Sequence, residues 1–360
     1  MNLPSFKILI FGGTFNPIHY GHLNILNCAQ EKINPDLTIV IPTGKTSYKE
    51  KYPISSIDRL NMLKIAFSGY KKLIISDLEI KNDFDSYTFN TINELKKQYL
   101  NAKFYLLIGS DQWNELDTWY KYNELAMQVK FVVANRNNLK LKKYLDFKPI
   151  ILNNECLNIS STELRKFVKK YEIPYSVLEY INDNGLYAIQ RIESLMSNHR
   201  FSHSLRVAQY AQKLMMIYDQ CQANLAFSAG IYHDIAKEMP LLEQETIAMN
   251  ILGIYDHKHP KLLHGYIGSY LLQSNFCFSN NKILNAIARH TKPFDYFLDK
   301  PDLLTKVLYL ADKLEPNRTN DDVFGSDIEY YRNLAETNID QCFDELYNHL
   351  QYYLSNLSKK

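Results

Sequence analysis

One turn, at residues 12–22, constrains the fold of this chain more than any other stretch. Residues 7–11 read KILIF, an apolar run typical of a buried strand, and residues 23–30 have the pattern of an amphipathic helix. The sequence between them is GGTFNPIHYGH. A strand, a glycine-rich turn and a helix place backbone N–H groups and a helix dipole near a phosphate. The glycine pair alone also fits an ordinary tight turn, but His19 and His22 favour phosphate chemistry because they could donate to phosphate oxygens.

Further apolar runs predict more strands in the first half of the chain. They cover residues 37–42, 73–76, 103–108, 129–134 and 149–152, and helical patterns lie between them, notably over 56–68 and 88–100. Strands that alternate with helices predict an α/β doubly wound parallel sheet, Rossmann-like, whose ligands bind at the carboxyl ends of the strands.

The pattern changes near Gln190, after which only helices are predicted. Apolar residues recur at spacings of three and four through residues 203–218, 223–239, 262–273, 281–290, 302–314 and 327–355. The sequence therefore predicts a domain over residues 1–189 and an all-α domain over residues 190–360. Residues 331–360 have the pattern of one terminal amphipathic helix.

The composition bounds the partners and the location. The chain has 360 residues, of which 46% are hydrophobic and 22% charged, and its net charge is +2, which favours neither a nucleic-acid nor a membrane partner. Five scattered cysteines without a Cys-x-x-Cys pair indicate reduced thiols. With no pattern of a signal peptide and no run of 18 apolar residues, we expect a cytoplasmic protein. A homo-oligomer is compatible with this composition.

Two motifs in the first half carry a resemblance to a known family. The sequence GGTFNPIH at residues 12–19 and the sequence ISSTELR at residues 159–165 resemble elements of bacterial nicotinate-mononucleotide adenylyltransferases. These enzymes belong to the nucleotidyltransferase superfamily with a His-x-Gly-His loop. Asn16 stands where that family usually has Asp, so an acceptor is kept and a charge is lost. The resemblance spans residues 6–188 and implies transfer of AMP from ATP, brought with Mg²⁺, to nicotinate mononucleotide, giving nicotinate adenine dinucleotide and pyrophosphate.

The same resemblance implies a set of site residues. Catalysis is assigned to His19 and His22, and substrate binding to Gly12, Gly13, Thr14, Phe15, Lys49, Tyr87, Thr88, Gly109, Asp111, Trp119, Ser160, Ser161, Thr162 and Arg165. Several of these residues also have plain structural interpretations. The hydroxyls near 86–88 and 160–162 suit helix N-caps, and a Trp is more often a packing residue than a ligand platform. Of the two tryptophans, Trp119 is the better candidate to stack on a nicotinate ring.

Histidines and aspartates in the second half carry a second resemblance. The elements RFSH at 200–203, HDIAK at 233–237, HT at 290–291 and ADKLEPNR at 311–318 resemble HD-domain metal phosphohydrolases, in particular the YqeK-type symmetrical diadenosine tetraphosphate hydrolases. Those enzymes split their substrate into two ADP. The match covers roughly residues 195–330.

This resemblance implies a pair of metal ions between helices. The first ion would be held by His203, His233, Asp234 and Asp312, and Asp234, also assigned to catalysis, would bridge to a second ion held by His264 and His290. Histidine and carboxylate ligands without Cys favour iron or manganese. His199 is an alternative to His203, and His257 and His259 are alternatives to His264. Lys237 and Arg318 would meet a polyphosphate, although solvated helix ends explain them equally well.

The sequence thus predicts a bifunctional enzyme that acts on small nucleotides, namely ATP, nicotinate mononucleotide and diadenosine tetraphosphate. One alternative keeps both folds but changes the substrates. The first domain would then use nicotinamide mononucleotide or pantetheine phosphate, and the second another nucleotide. In another alternative, the helical domain is a regulatory sensor.

Overall fold

A computed structural model describes residues 6–44, 54–81, 86–135, 140–144, 146–153, 157, 159–167, 169, 171–254, 262–294, 300–323 and 325–357. The chain forms two compact units, Met1–Val177 and Leu178–Lys360. Among the described residues, no helix combines the length and the apolar character that a membrane span requires.

The first unit is built on a six-stranded parallel sheet. Its strands are β1 (Lys7–Gly13), β2 (Leu37–Pro42), β3 (Leu73–Ile75), β4 (Lys103–Gly109), β5 (Val129–Ala134) and β6 (Ile150–Leu152). They lie in the order β3-β2-β1-β4-β5-β6, and every neighbouring pair is parallel. This order confirms the predicted doubly wound fold and leaves a crevice at the carboxyl ends of β1 and β4, where the winding reverses.

Helices connect these strands. They are α1 (Tyr20–Ile33), α2 (Ser56–Ala66), α3 (Leu78–Lys81), α4 (Thr88–Gln98), α5 (Ser110–Asn114), α6 (Tyr122–Gln128) and α7 (Ser161–Lys166). The central strands β1, β2 and β4 are buried along most of their length. Helices cover both faces of such strands, which explains why their sequences are continuous apolar runs. Ser55 caps α2 by accepting a hydrogen bond from the backbone N–H of Asp58, which fixes where that helix begins.

The second unit is helical, as predicted. Helix α8 (Tyr175–Asp183) contains the division between the two units, and it is followed by α9 (Ala188–Ile192), α10 (Asn198–Tyr218), α11 (Ala223–Tyr232), α12 (Leu241–Ile247), α13 (His264–Asn275), α14 (Asn281–Arg289), α15 (Leu303–Leu314), α16 (Ile328–Thr337) and α17 (Ile339–Leu357). Ala188 and Ile192 are buried in the core of this unit. The contacts therefore place α9 with the helical unit. The boundary predicted from the sequence, between residues 189 and 190, stays a prediction for the two functional domains.

Two helices end earlier than the apolar periodicity predicted. The pattern over 223–239 indicated one helix, but α11 ends at Tyr232 and tighter turns follow, with the N–H of Lys237 bonded to the carbonyl of Asp234. The pattern over 327–355 likewise indicated one helix. There Asn338 is extended and its side chain accepts from the N–H of Gln341, so the chain restarts as a new helix. Apolar residues continue at spacings of three and four across both breaks, so the periodicity did not reveal where the helices end.

Close helix packing in the second unit depends on two glycines. A Cβ on Gly230 in α11 would lie 2.5 Å from the Cα of Ala208 in α10. A Cβ on Gly265 in α13 would lie 2.8 Å from the carbonyl oxygen of Ala288 in α14. Helices α10 and α11 therefore approach closely, as do α13 and α14, and predicted metal ligands lie in or directly after each of these helices.

Candidate functional sites

The glycine-rich turn ends β1 at the crevice between β1 and β4. A cavity of about 300 Å³ opens there, a volume at the lower end of those that hold small ligands. It is lined by nine of the predicted residues, Gly12, Gly13, Thr14, Phe15, His22, Gly109, Asp111, Ser161 and Arg165, together with Phe11, Asn16, Ile25 and Gln112. Residues from both sequence motifs therefore face one space.

The two histidines of the turn have different positions. Their rings lie against each other, with centroids 3.7 Å apart and planes inclined by 35°. His22 lines the cavity, whereas His19 is buried beside it and begins α1 as its N-cap residue. Gly21 is required between them, because a Cβ there would lie 2.9 Å from the Nδ1 of His19.

Arg165 joins the second motif to the first. Its Nη1 donates to the carbonyl oxygen of Asn16 over 2.8 Å, and the hydroxyl of Ser161 donates to the carbonyl oxygen of Pro17 over 3.2 Å. Helix α7 is thereby fixed against the turn after β1, although some 140 residues separate the two in sequence. Ser160 and Thr162 are exposed and line neither described cavity of this crevice.

A second cavity, of about 170 Å³, adjoins the first. Its lining includes Thr88 and Trp119 from the predicted set, and Ser86, Thr91 and Glu79 beside them. Gly12, Gly13, Thr14 and Gln112 line both cavities, so the end of β1 forms a shared wall between them. Two ligands that occupy these cavities would therefore lie next to each other at these shared residues.

The aromatic residues weighed in the sequence analysis differ in whether they face a cavity. Trp113 is fully buried and packs on Phe131, while Trp119 faces the second cavity. Tyr87 is half-exposed and stacks on Tyr120, outside both cavities. Lys49, the predicted phosphate contact, lies outside the described residues.

Sequence reasoning missed two buried charged residues at this crevice. Arg59 of α2 is fully buried, and it donates to the carbonyl oxygens of Thr14, Thr43 and Gly44, so it ties the turn after β1 to the loop after β2. Glu79 accepts from the Thr91 hydroxyl over 2.6 Å, and burial raises the pKa of its carboxyl. Neither residue stands out in sequence, because the partners of Arg59 lie in two loops and the partner of Glu79 lies in α4, and only the fold brings them near.

The second unit gathers all six predicted metal ligands into one buried cluster. His203 projects from α10, His233 and Asp234 follow α11, His264 opens α13, His290 caps α14, and Asp312 lies in α15. Three overlapping groups of these side chains place their donor atoms within 4.8 Å of one another, and together they contain all six residues. His199, weighed against His203, belongs to none of these groups; His257 and His259 lie outside the described residues.

The two carboxylate oxygens of Asp234 face two different sets of donors. Its Oδ2 lies 3.5 Å from the Nε2 of His233 and 4.0 Å from the Nε2 of His203. Its Oδ1 lies 3.1 Å from the Nε2 of His264 and 3.6 Å from that of His290.

Asp312 completes the first set. Its Oδ1 lies 3.1 Å from the Nε2 of His203 and 3.6 Å from that of His233. Ligand atoms about 2.1 Å from an ion and at right angles lie about 3 Å apart, so each set has spacings that fit one ion.

The carboxylates of the cluster suit cation binding. Burial opposes ionisation of Asp234, but the charge of His233 and the contacts with His264 and His290 hold the pKa of its carboxyl well below the usual range. Burial likewise opposes ionisation of Asp312, and the charge of Lys313 with the contacts to His203 and His233 lowers the pKa of that carboxyl. The same two carboxylates raise the pKa of His233 against the effect of its burial, so an ion at this imidazole competes with a proton. Burial lowers the pKa of His290 to about 4, so this imidazole is neutral at pH 7 and offers a lone pair.

Backbone carbonyls orient two of the imidazoles. The Nδ1 of His233 lies 2.7 Å from the carbonyl oxygen of Gly230, and the Nδ1 of His290 lies 2.7 Å from that of Ile287. A carbonyl only accepts, so each Nδ1 carries the hydrogen and each Nε2 faces the carboxylates as a ligand atom.

Basic side chains surround the cluster. Arg200 donates to the Oδ2 of Asp234 over 2.6 Å, and Arg318 to the Oδ1 of Asp312 over 3.3 Å. The Nζ of Lys237 lies 3.3 Å from the Nε2 of His264, and burial lowers the pKa of this amine. Lys237 and Arg318 were predicted here, whereas Arg200 entered the sequence analysis only as part of a motif.

Comparison with known proteins agrees with both units. Residues 10–167 match the Cytidylyltransferase-like family, and residues 200–317 match the HD domain family. A protein of Mycoplasma genitalium named "Probable nicotinate-nucleotide adenylyltransferase/Ap4A hydrolase" is 36% identical over 94% of this chain and 95% of its own length. A protein of Mycoplasma pneumoniae with the same name is 32% identical over 92% of this chain and 95% of its own length.

Other relatives match the first unit alone. A protein of Aliarcobacter butzleri named "Probable nicotinate-nucleotide adenylyltransferase" is 39% identical over 49% of this chain and 94% of its own length. Fold and sites together define a nucleotidyltransferase unit followed by an HD-domain unit with a divalent-metal site. The chain belongs to the nicotinate-nucleotide adenylyltransferase/Ap4A hydrolase family.

Proposed function

We propose that the first unit transfers AMP from ATP to nicotinate mononucleotide, giving nicotinate adenine dinucleotide. The observation that carries this proposal is the pair of adjoining cavities with a shared wall at Gly12, Gly13 and Thr14. A phosphate oxygen of the acceptor would attack the α-phosphorus of ATP. The bond from that phosphorus to the bridging oxygen would break, and pyrophosphate would leave. Such a reaction depends on position and charge neutralisation more than on a covalent nucleophile.

The residues of the larger cavity suit the triphosphate. His22 and Arg165 supply N–H donors, and the glycines of the turn let backbone come near an anion. Asp111 lies in the same cavity as a hydrogen-bond acceptor for a ribose or a carboxylate for Mg²⁺. Thr88 and Trp119, in the smaller cavity, fit the pyridine end of the acceptor through a helix N-terminus and ring stacking.

The acceptor is tested by supplying the full chain with ATP, Mg²⁺ and one acceptor at a time. Release of pyrophosphate with nicotinate mononucleotide is the expected result. Turnover only with nicotinamide mononucleotide or pantetheine phosphate would overturn the choice of acceptor and leave the reaction class intact. Because ATP serves as donor, a cytoplasmic location belongs to the same proposal.

We propose that the second unit hydrolyses diadenosine tetraphosphate symmetrically to two ADP at a pair of iron or manganese ions. The support is the position of Asp234, whose Oδ2 faces His203 and His233 and whose Oδ1 faces His264 and His290. When bound, two such ions activate a water molecule and stabilise the charge that develops on a phosphoanhydride. Lys237 and Arg318 would then contact the polyphosphate, each as a cation at the edge of the cluster.

The hydrolase is tested with diadenosine tetraphosphate and either Mn²⁺ or Fe²⁺. ADP as the sole nucleotide product is expected. A mixture of AMP and ATP would show asymmetric cleavage and overturn the proposal, as would an absence of turnover with a protein that binds both ions.

A further inference from the structure

A carboxylate, and not a backbone carbonyl, orients one imidazole of the metal cluster. His233 and His290 each donate from Nδ1 to a backbone carbonyl oxygen. The Nδ1 of His203 instead faces the Oε1 of Glu315, 3.3 Å away. Glu315 lies just after α15 and is 2% exposed, so this contact joins a buried imidazole to a buried carboxylate.

Glu315 is held firmly from its other side. The guanidinium of Arg206 approaches both carboxylate oxygens, with Nε 2.8 Å from Oε2 and Nη2 3.1 Å from Oε1. The backbone N–H of Asn317 donates to Oε2 over 2.8 Å. A two-pronged Arg contact of this kind fixes a carboxylate in one orientation and favours its ionised form. An ionised carboxylate only accepts, so the hydrogen of the contact resides on the Nδ1 of His203.

The contact at Nδ1 determines what the opposite nitrogen of the His203 imidazole presents to the cluster. With the hydrogen on Nδ1, the Nε2 of His203 presents its lone pair toward Asp312 and Asp234. An anionic acceptor at Nδ1 also makes the ring a more basic ligand than a carbonyl acceptor does, and the loss of such a partner typically weakens metal binding by about 10–100-fold.

We propose that Glu315, held by Arg206, is a positioning residue that makes the metal position at His203, His233 and Asp312 the tighter of the two. This inference rests on the proposed metal-dependent function of the second unit. The carboxylate ligands agree with it. The tighter position faces one oxygen each from Asp234 and Asp312, with Glu315 behind it, whereas the other faces only the second oxygen of Asp234. Cations lie beside both positions, since Arg200 and Arg318 donate to the same oxygens of Asp234 and Asp312, and the Lys237 amine lies 3.3 Å from the Nε2 of His264. The two positions therefore differ in the second carboxylate ligand and in Glu315.

The test measures metal binding directly. The full chain is stripped of metal with a chelator and titrated with Mn²⁺, and free Mn²⁺ is counted by its electron paramagnetic resonance signal. The unaltered protein should bind two ions of unequal affinity. Glu315→Gln keeps the size of the side chain but removes its charge, and it should weaken the tighter ion about 10–100-fold while the weaker ion stays within about twofold. A general loss of packing would weaken both ions together.

Two further variants keep the test decisive. Arg206→Gln should weaken the same ion by a smaller factor, because the backbone N–H of Asn317 still holds the carboxylate. Lys213→Gln is the matched control, since Lys213 lies on the same helix and forms an exposed ion pair with Glu336. It should bind both ions as the unaltered protein does. Circular dichroism of each metal-free variant verifies folding, and Arg206→Gln decides the matter if Glu315→Gln does not fold.

The outcomes separate this inference from the proposed function. If the unaltered protein binds neither Mn²⁺ nor, without oxygen, Fe²⁺, the metal-dependent function is wrong. If it binds two ions and both folded variants bind them equally well, the role of Glu315 is wrong and the metal-dependent function stands.

Discussion

The two units form their sites in different ways. In the first unit, the cavities lie at strand ends, and three consecutive residues at the end of β1, Gly12, Gly13 and Thr14, line both of them. In the second unit, six side chains from separate stretches converge on each other, and their charges define where a cation would bind. One site is thus largely a shape made by the fold of a turn, and the other is an electrostatic arrangement made by side chains. Removal of one side chain should therefore cost the first site less activity than it costs the second.

Asp234→Ala provides the largest test of this contrast. It removes the carboxylate shared by both donor sets, so we expect hydrolysis of diadenosine tetraphosphate to fall by about 1,000-fold or more, since bound ions contribute several kcal/mol to the barrier reduction. Measurement of ADP formation gives the result. The transferase rate of the same variant should stay unchanged. A changed transferase response would instead indicate that the helical unit acts as a sensor.

His22→Ala tests whether the first site depends on any single side chain. Removing a donor aimed at developing charge costs about 10²–10³-fold in rate, so pyrophosphate release should fall by that factor. Hydrolysis at the second unit serves as the internal control. A loss of less than about threefold would show that backbone groups of the turn carry the chemistry without this imidazole.

Trp119→Ala should act on acceptor binding alone. Stacking on an aromatic side chain contributes about 1–3 kcal/mol per ring, so the KM for nicotinate mononucleotide should rise by about 5–150-fold. The KM for ATP should not change, because Trp119 lines only the smaller cavity. Trp119→Phe keeps an aromatic face and should recover most of the affinity. An equal rise in both KM values would contradict the assignment of the two cavities.

Gly21→Ala gives the smallest expected effect and examines the turn itself. The added Cβ would meet the His19 ring at 2.9 Å, and displacement of the two adjacent imidazoles should lower the transferase rate about tenfold. Gly69→Ala is the matched control, because nothing lies within 4 Å of a Cβ there. Equal rates in the two variants would mean that the His19 ring moves aside at no cost to the reaction.

The sequence predicted the first site best where its residues are consecutive. The turn at residues 12–22 and the segment that begins α7 were recognisable as motifs, and the fold brings them together through Arg165. The metal cluster was predicted from four short elements, although its ligands lie on different helices. In both units, the residues that the structure brings together were predicted where a residue type and its neighbours in sequence already specify a chemistry, and their roles stay predictions.

What escaped prediction depends on packing between distant segments. Glu315 stood inside a recognised motif, but its contact with Arg206 and His203 exists only once α15 lies beside α10. Arg59 bonds to carbonyl groups, which every residue has, so no side-chain pattern pointed to its partners. Gly230 and Gly265 were overlooked because each contacts a neighbouring helix, and the sequence of one helix does not show how closely another approaches it.

In the shared wall of the two cavities, Gly12 matters for ligand binding and not for folding. A Cβ at Gly12 would meet no protein atom within 4 Å, although this residue lines both cavities. An alanine there would add its methyl group to space that the protein leaves open, so the unfolding curve of such a variant should match that of the unaltered chain. Only an assay with nucleotide present would register the change, and a stability screen would record this position as neutral.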